Sequence, residues 1–568
     1  MGTLRAYIEE GESKQACSVT NLFMPEHKLK VGILLDSLLV PQWVKKIIDD
    51  IEKSDCMELD LVVLNRESVN KSPWFRLGWL LPRVLFLSYE WIDELLCARN
   101  ANNASAIADL EKPRTGTNVI EVVRERTGSE HRFEPKDLSK IQSRELDVLL
   151  RFGFSTLSGG ILDAARYGVW SVHHGDNCKY RGGPPLFWEI YEGNVYSVST
   201  LQRLSEQPDG GTILYRSRSA TYMTSLFRNR NPVYWKTASF LIRRLSDLHR
   251  WGWQHVASAA VDHDVAYHDK STNEYPSNIR MVAFLAKLAY RNATDRFKRR
   301  FFRQKWFLGF RETSDSASEF IEIAPARDSF LADPFVVVSS GQRTVFFEDF
   351  DIPTAKGVIA HTVIGMDGKP SESKVSLERD YHLSYPMIFQ WQGAYYMIPE
   401  TRQNGTIELY RASRFPDCWE LEKILFKDIE AVDSTVYFND DGVWLFTNIA
   451  PPGGSAHDEL YLFHAKSPFG EWAPHPFNPV VSDVGRARPA GHLFHRNGVL
   501  IRPSQDCSVR YGYAINFNRV DVITPTEYRE TLVDRMTPEI FAGSLGTHTY
   551  NSGGGLEVVD VLRSVGRW

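Results

Sequence analysis

Two stretches of the chain carry groups that can manage a proton and a developing negative charge. The first is Val169–Arg181, VWSVHHGDNCKYR, which holds Ser171, His173, His174, Asn177 and Arg181. The second is Thr200–Leu214, TLQRLSEQPDGGTIL, which holds Thr200 and Asp209. A cationic imidazole steadies an oxygen that becomes negative, and a carboxylate beside the ring raises its pKa and keeps it charged. The same carboxylate can accept a proton from an attacking group. The plainer reading of the same letters is a turn in which Asp176 bonds backbone amides, and a hairpin at Asp209-Gly210-Gly211. A further group of acids and arginines lies in the second half: Asp333 in LADPF, Glu400 in IPET, Asp433 in VDST, Arg488 in ARPAG, and Arg502.

The elements that must position these groups follow two different rhythms. After a polar stretch over 1–28, read as a tail, Lys30–Asp36 (KVGILLD) reads as a buried strand, Val40–Lys53 as a helix and Leu59–Leu64 as a strand. Strands are expected again at Asn118–Val123, Asp147–Phe152 and Gly168–His173, with helices near Glu90–Ala98, Pro135–Glu145 and Gly159–Arg166. This βαβ alternation predicts a parallel sheet, with His173 at the end of a strand. No GxGxxG follows the first strand, so a dinucleotide site is not supported. Residues 232–305 read as a helical connector. From Trp306 the pattern becomes short alternating strands. Asp333–Glu348, Tyr385–Glu400, Ser434–Ile449 and Ala490–Gln505 resemble one another, each a strand, a Gly-bearing turn and a second strand, recurring at roughly the length of a propeller blade. A fifth blade combining Arg510–Phe517 with Trp306–Phe310 would close the ring. The expected layout is therefore multidomain: an α/β Rossmann-like domain over 29–231, the connector over 232–305 and an all-β five-bladed propeller over 306–568. Polar residues at the blade starts would line a central funnel.

Composition narrows the function classes. A chain of 568 residues with 43% apolar and 24% charged residues is an ordinary globular chain, long enough for at least two cores. The net charge of −5 gives no basic field for nucleic acid; the run Arg296–Lys305 reads as the solvated end of a helix. The six cysteines are scattered without metal-ligand spacing and read as reduced thiols. His492 and His495 read as ordinary residues, and no metal is expected. The apolar run Leu77–Leu87 contains Pro82 and Arg83 and is too short for a membrane span, and the N-terminus lacks signal-peptide character, so the expected location is cytoplasmic.

With these residues in view, the pair VWSVHHGDNCKYRGG and TLQRLSEQPDGG resembles the core of the formyltransferase family, which includes glycinamide-ribonucleotide, methionyl-tRNA and nucleotide-sugar N-formyltransferases. In that family a strand ends in Asn-x-His, a loop ends in an aromatic residue, Arg and Gly, and a Leu-Asp-x-Gly turn follows. The resemblance spans roughly 30–230. It implies a formyl transfer from 10-formyltetrahydrofolate to an amine, with His173 as electrophile, Asp209 as its partner and proton acceptor, and Thr200 as the strand threonine. Ser171 stands where the family has its catalytic Asn, and His174 where Gly or Pro is common. The site is thus rearranged, retuned for another acyl donor, or inactive, and Asn177 could substitute for the missing amide.

The second half resembles five-bladed propellers of arabinanase, invertase and levansucrase type, and most of all the propeller at the N-terminus of glucosamine inositolphosphorylceramide transferase, through LADPF, HLSYP, YMIPET, LYRA, VDST, ARPAG and RPSQD. Glycosidases of that fold use two carboxyls flanking the glycosidic bond. Asp333 suits the base or nucleophile position and Asp433 the supporting aspartate, but Arg488-Pro489 stands where the general acid is expected. The funnel residues Asp333, Glu400, Asp433, Arg488 and Arg502 could bind a sugar or, given the arginines, a sugar phosphate; the plain alternative is that they lock the blades. Together the resemblances imply an N-formyltransferase acting on an amino sugar, nucleotide-linked or free, in polysaccharide biosynthesis. The alternative is a glycan-binding or glycosyl-transferring propeller protein with an inactive formyltransferase-like scaffold. Methionyl-tRNA formylation is disfavoured by the acidic balance. The expected partners are a small sugar or sugar nucleotide, not nucleic acid.

Overall fold

The first strand, Leu29–Leu35, is apolar at nearly every position and is buried on both faces, as a central strand of a parallel sheet requires. The structure, a computed structural model, describes residues 27–66, 80–99, 102–110, 117–122, 124–127, 130–154, 156–176, 179–180, 182–206, 211–259, 274–313, 320–365 and 367–567. The chain divides into two compact units, with the division in sequence at Asn292/Ala293.

The first unit is built on a seven-stranded sheet. Its strands are β1 (Leu29–Leu35), β2 (Met57–Asn65), β3 (Asn118–Val122), β4 (Val148–Arg151), β5 (Val169–His174), β6 (Tyr196–Arg203) and β7 (Thr212–Ala220), in the order β7-β6-β5-β4-β1-β2-β3. β3, β2, β1, β4 and β5 run parallel, and β6 and β7 are antiparallel additions. The helices are α1 (Gln42–Glu52), α2 (Val84–Cys97), α3 (Pro135–Gln142), α4 (Trp188–Glu192), α5 (Leu226–Ser258) and α6 (Asn278–Phe301). α2 starts before the expected Glu90 because Pro82, inside the 3₁₀ turn Leu81–Arg83, suits a helix start. The expected helix at Gly159–Arg166 is a single 3₁₀ turn, Gly159–Asp163. α5 falls largely within the stretch read as a connector. It buries Val233, Trp235, Phe240, Leu241, Leu245 and Leu248, and it packs against α1, α2, β6 and β7.

The second unit is a five-bladed propeller. Four blades follow in sequence, with first strands at Ser329–Ser339, Ser384–Trp391, Ala431–Asn439 and Phe494–Arg496. Each first strand forms a hairpin with the next, as the repeats predict. The fifth blade is made from both ends of the unit, but not with the strands expected. Phe302–Glu312 pairs along its whole length with Leu556–Gly566, from Phe302↔Gly566 to Glu312↔Leu556. Arg510–Phe517 does not enter this blade: Ala514–Ile523 pairs with Val499–Asp506 inside blade four. The closing strand Leu556–Gly566 (LEVVDVLRSVG) is buried without a break from Val558 to Leu562, as an inner strand covered on both faces is.

Candidate functional site

β4 and β5 run parallel, so their C-terminal ends, at Arg151 and His174, emerge on one edge of the sheet. Successive residues of β5 alternate faces, so Ser171 and His173 share a face and His174 takes the other. The β4–β5 register sets Arg151 beside Ser171, and the β5–β6 register sets Thr200 beside His173. Arg151, Ser171, His173 and Thr200 therefore form one cluster on one face of the sheet at this edge.

His173 is half-buried, and its Nε2 lies 3.3 Å from the carbonyl oxygen of Tyr180, across the loop that follows the strand. Gly175 makes that approach possible. Its φ is 137°, and a Cβ there would stand 3.0 Å from the Tyr180 carbonyl and 3.3 Å from His173 Nε2. Ser171 is buried at 1% exposure, and its hydroxyl accepts a 3.0 Å hydrogen bond from Arg151 Nε. Arg151 Nη1 also donates to the Phe154 carbonyl at 3.4 Å. Arg151 was invisible as a site residue because only the sheet register joins it to Ser171. Thr200 is fully buried, and its hydroxyl finds no hydrogen-bond partner among the described residues.

His174 faces helix α5. Its Nε2 lies 3.1 Å from the Thr237 hydroxyl, which itself donates to the Val233 carbonyl, so the imidazole carries its proton on Nε2. The ring packs on Tyr234 at 4.4 Å and Trp43 at 5.4 Å. Burial, with His173 and Arg230 nearby, lowers its pKa to about 3, so His174 is neutral across the physiological range. Asp209, Asn177 and Arg181 lie outside the described residues.

One acid in this unit carries no sequence signal. Glu189 on α4 is 1% exposed, and among the described residues neither carboxylate oxygen has a hydrogen-bond partner beyond its own backbone amide. Burial, with Asp176 and Glu192 adding to it, raises its pKa to about 7 against the opposing Arg230 guanidinium. Arg230 pairs with Glu90 and donates to the Pro185 carbonyl at 2.8 Å.

In the propeller, one backbone device aims side chains at the axis. The hairpin register slips between Ala332 and Phe335, between Ser384 and Met387, and between Val432 and Thr435. Each slip is a bulge that holds a buried residue with positive φ: Asp333 (52°), Tyr385 (45°) and Asp433 (51°). Bulges re-aim side chains, and left-handed φ at non-glycine residues costs about 1–3 kcal/mol each, so three in register mark a site held by its surroundings. The bulge in blade two presents Tyr385 rather than the neighbouring Ser384. Its hydroxyl lies 2.8 Å from Thr435 Oγ1 and accepts from the Gly491 amide at 2.7 Å.

Around the axis the charges are paired tightly. Arg488 grips Asp433 with two bonds, Nε to Oδ2 at 2.6 Å and Nη2 to Oδ1 at 3.1 Å, and Gln505 adds a third at 2.8 Å. Its Nη1 donates to His457 Nδ1 at 2.9 Å, and burial plus the guanidinium hold that imidazole down at about 4. Arg488 also stacks on Tyr511 at 4.9 Å. Asp333 accepts from Thr549 at 2.8 Å and from the Tyr385 amide at 3.3 Å, and burial raises it to about 6. His548 bridges Asp333, at 3.3 Å, and Asp560, at 2.7 Å. Burial opposes the charge on His548, but the two carboxylates outweigh it and raise its pKa. Asp333, His548 and Asp560 form a group, found among the described residues, whose ligand atoms lie within 4.8 Å of one another and could converge on a cation; an aspartate stands at each ring nitrogen of His548.

Glu400 lies 3.6 Å from Arg488 Nη2, and its Oε2 has no hydrogen-bond partner among the described residues. Burial and the neighbouring Asp433 carboxylate raise it to about 8, so it is protonated at neutral pH. It opens onto a cleft of ≈ 690 Å³ lined also by His382, Arg402, Gln403, Asn404 and Glu430. Burial and the surrounding acids likewise raise Glu348, its counterpart on blade one. Arg502, expected in the funnel, is committed elsewhere: its guanidinium forms two bonds to Glu530, at 2.7 and 2.8 Å, on the outer strand of its own blade. Arg488 cannot serve as the general acid whose place it takes, because a guanidinium keeps its proton.

An α/β unit on a largely parallel sheet and a five-bladed propeller are thus the two parts of this chain. Residues 317–551 match the family described as "Glucosamine inositolphosphorylceramide transferase 1, N-terminal". A relative of that name from Arabidopsis thaliana is 35% identical over 210 residues, covering 36% of this chain and 27% of the relative. Methionyl-tRNA formyltransferase from Agathobacter rectalis is 31% identical over 85 residues, covering 15% of this chain and 27% of the relative. The chain thus spans about a quarter of the length of these relatives. Among solved structures, glycinamide ribonucleotide transformylase 1 from Symbiobacterium toebii is similar at 12% identity and a TM-score of 0.23, covering 42% of this chain and 89% of that one. Among the described residues no helix is long and apolar enough to cross a membrane.

Proposed function

We propose that the α/β unit is a cytoplasmic N-formyltransferase that moves a formyl group from 10-formyltetrahydrofolate to the amine of an amino sugar, free or nucleotide-linked, in polysaccharide biosynthesis. The observation that carries this reading is His173 at the end of β5, held 3.3 Å from the Tyr180 carbonyl across Gly175, with Ser171 on the same face. The residues present fit a donor of this kind. The buried Thr200 hydroxyl, which has no hydrogen-bond partner among the described residues, gives a small carbonyl polar company beside His173. The donor supplies the formyl carbon. His173 stabilises the oxygen that turns negative, and Asp209 is assigned to hold the imidazole charged and to take the amine proton. The similarity to methionyl-tRNA formyltransferase over 85 residues supports the reaction class.

The test is direct. Protein incubated with 10-formyltetrahydrofolate and either glucosamine or UDP-glucosamine is expected to give N-formyl product, and His173→Ala to abolish it. Absence of both formyl product and folate binding across a panel of amino sugars removes the reading. A second reading rests on one separate observation: Glu400, protonated at neutral pH, lines an open polar cleft. That suits a neutral sugar held by hydrogen bonds, and makes the propeller a glycan-binding part. Loss of glycan binding in Asp333→Ala and Asp433→Ala with formyl transfer intact would support it; loss of activity in those variants while His173→Ala is harmless would replace the first reading with it.

A further inference from the structure

We infer that helix α6 (Asn278–Phe301) docks the protein on an anionic lipid surface, with an exposed apolar stripe sunk between the headgroups and basic side chains on their phosphates. The inference rests on this helix and not on the formyltransferase reading. α6 is continuous over 24 residues, about 36 Å at 1.5 Å per residue. One side belongs to the core: Met281 and Phe284 are buried, and the Phe284 ring packs on Tyr89 at 5.3 Å and on Phe187 at 5.0 Å. At 3.6 residues per turn, Ile279, Val282, Ala286, Tyr290, Ala293 and Phe297 form a second stripe on the other side. All six are exposed, Ile279 at 84% and Tyr290 at 72%. The neighbouring helix α2 adds to this surface. Asn278 joins the two, donating to the Leu81 carbonyl at 2.8 Å and accepting from the Leu85 amide at 3.1 Å. Val84, Trp91, Leu95 and Leu96 of α2 are exposed as well. Single exposed apolar residues are ordinary, but a stripe five turns long with a second apolar helix beside it marks an interaction surface.

Charge selects the occupant. α6 carries seven basic residues against one acid, Asp295, in a chain whose net charge is −5. Arg280, Lys287 and Lys298 border the stripe on one side and Arg296 and Arg300 on the other, and all five are exposed. A helix lying in the plane of a bilayer needs this arrangement. Its stripe enters the acyl boundary while the long basic stems carry their charges up to the phosphates. With so many charges the helix cannot cross the hydrocarbon core, so it lies on the surface. A second copy of the chain fits less well, because pairing the two stripes would set two strongly basic helices side by side.

The experiment mixes the full chain with phosphatidylcholine vesicles, with and without phosphatidylserine, and reads binding by co-flotation. Binding is expected only to vesicles that contain phosphatidylserine, and it should weaken as salt is raised. Arg296→Gln, Lys298→Gln, Arg299→Gln and Arg300→Gln together are expected to lower the partition coefficient by more than about a hundredfold, at roughly fivefold for each charge. Ile279→Ser with Val282→Ser leaves every charge in place and is expected to lower it by at least about tenfold. All six positions are exposed, and an unchanged circular dichroism spectrum and Tm show that each variant keeps its fold. Equal binding to neutral vesicles, no binding to either kind, or a serine variant that binds like the parent overturns the inference. So does a solution dimer that the serine variant separates without lipid, which assigns the stripe to a second copy. Capture by polyglutamate with no vesicle binding also overturns it, and assigns the helix to an acidic protein.

Discussion

Glu189→Gln tests whether a carboxylic acid is stored neutral inside the α/β unit. The side chain is 1% exposed, and among the described residues neither oxygen has a hydrogen-bond partner beyond its own amide. Burial moves its pKa from 4.5 to about 7. At about 1.4 kcal/mol per pH unit that rise corresponds to ~3 kcal/mol. The sign follows from the folded value lying above the unfolded one. Below pH 4.5 both states hold the proton and the acid costs nothing extra. As pH climbs to about 7, only the unfolded chain ionises freely, so stability falls, and the full loss is reached above the folded value. Glutamine has the shape of the neutral acid and never ionises. The variant should match the parent at pH 5 and exceed it by ~3 kcal/mol at pH 8.5. Urea unfolding at the two pH values reads the difference. Amide exchange in Phe187–Glu192 assigns it to this unit, with about a hundredfold greater protection in the variant at pH 8.5. An equal gap at both pH values, or a less stable variant at pH 8.5, would refute the reasoning, because it would mean the carboxylate is ionised and satisfied in the fold.

Three other outcomes follow from the same geometry. Arg488→Met should destabilise the propeller by ~3–5 kcal/mol, since it strands Asp433 without a counter-charge, and Asp433→Asn in the same chain should recover most of that loss; calorimetry on the double-mutant cycle reads the coupling. Gly175→Ala should reduce formyl transfer by at least about tenfold and cost ~1–3 kcal/mol, because the added Cβ meets the Tyr180 carbonyl and His173 in a left-handed conformation. Asp433→Asn alone should leave the KM for folate unchanged, and a shift in that constant would contradict the assignment of folate to the α/β unit.

The sequence carried the fold where period and composition spoke for themselves. The apolar run KVGILL could only be a central strand, and the four similar hairpins had to be blades. It failed at ring closure, because Leu556–Gly566 is separated from its partner Phe302–Glu312 by the whole propeller and nothing local records that pairing. The site was legible to the same degree. His173 announces itself as an imidazole at a strand end. Arg151 does not, since the link to Ser171 runs across the sheet and not along the chain. In the propeller the letters DP, YP and DS gave no sign that Asp333, Tyr385 and Asp433 each sit in a bulge with positive φ, so Tyr385 did not stand out as an axial group. Arg502 read as a funnel arginine for the opposite reason: its true partner Glu530 is 28 residues away on an outer strand, and their fork-to-carboxylate fit is visible only in the folded blade.

Both units stand an unexpected residue where a catalytic group is anticipated. At the propeller axis the proton-donating acid gives way to Arg488, whose charge is consumed by a two-bond grip on Asp433. That pair removes both the acid and the supporting carboxylate from any hydrolytic step, while burial keeps Glu400 protonated and able to donate a hydrogen bond. The axis is thereby suited to holding a ligand and poorly suited to breaking a glycosidic bond, which needs one carboxyl to give a proton while another is ionised. At the edge of the α/β sheet Ser171 stands where the proposed reaction would call for an amide, and its hydroxyl is spent as an acceptor for Arg151 Nε. Under the proposed function the reacting groups would sit at the C-terminal end of β4 and β5, where the sheet register sets Arg151 beside Ser171 on the face that carries His173.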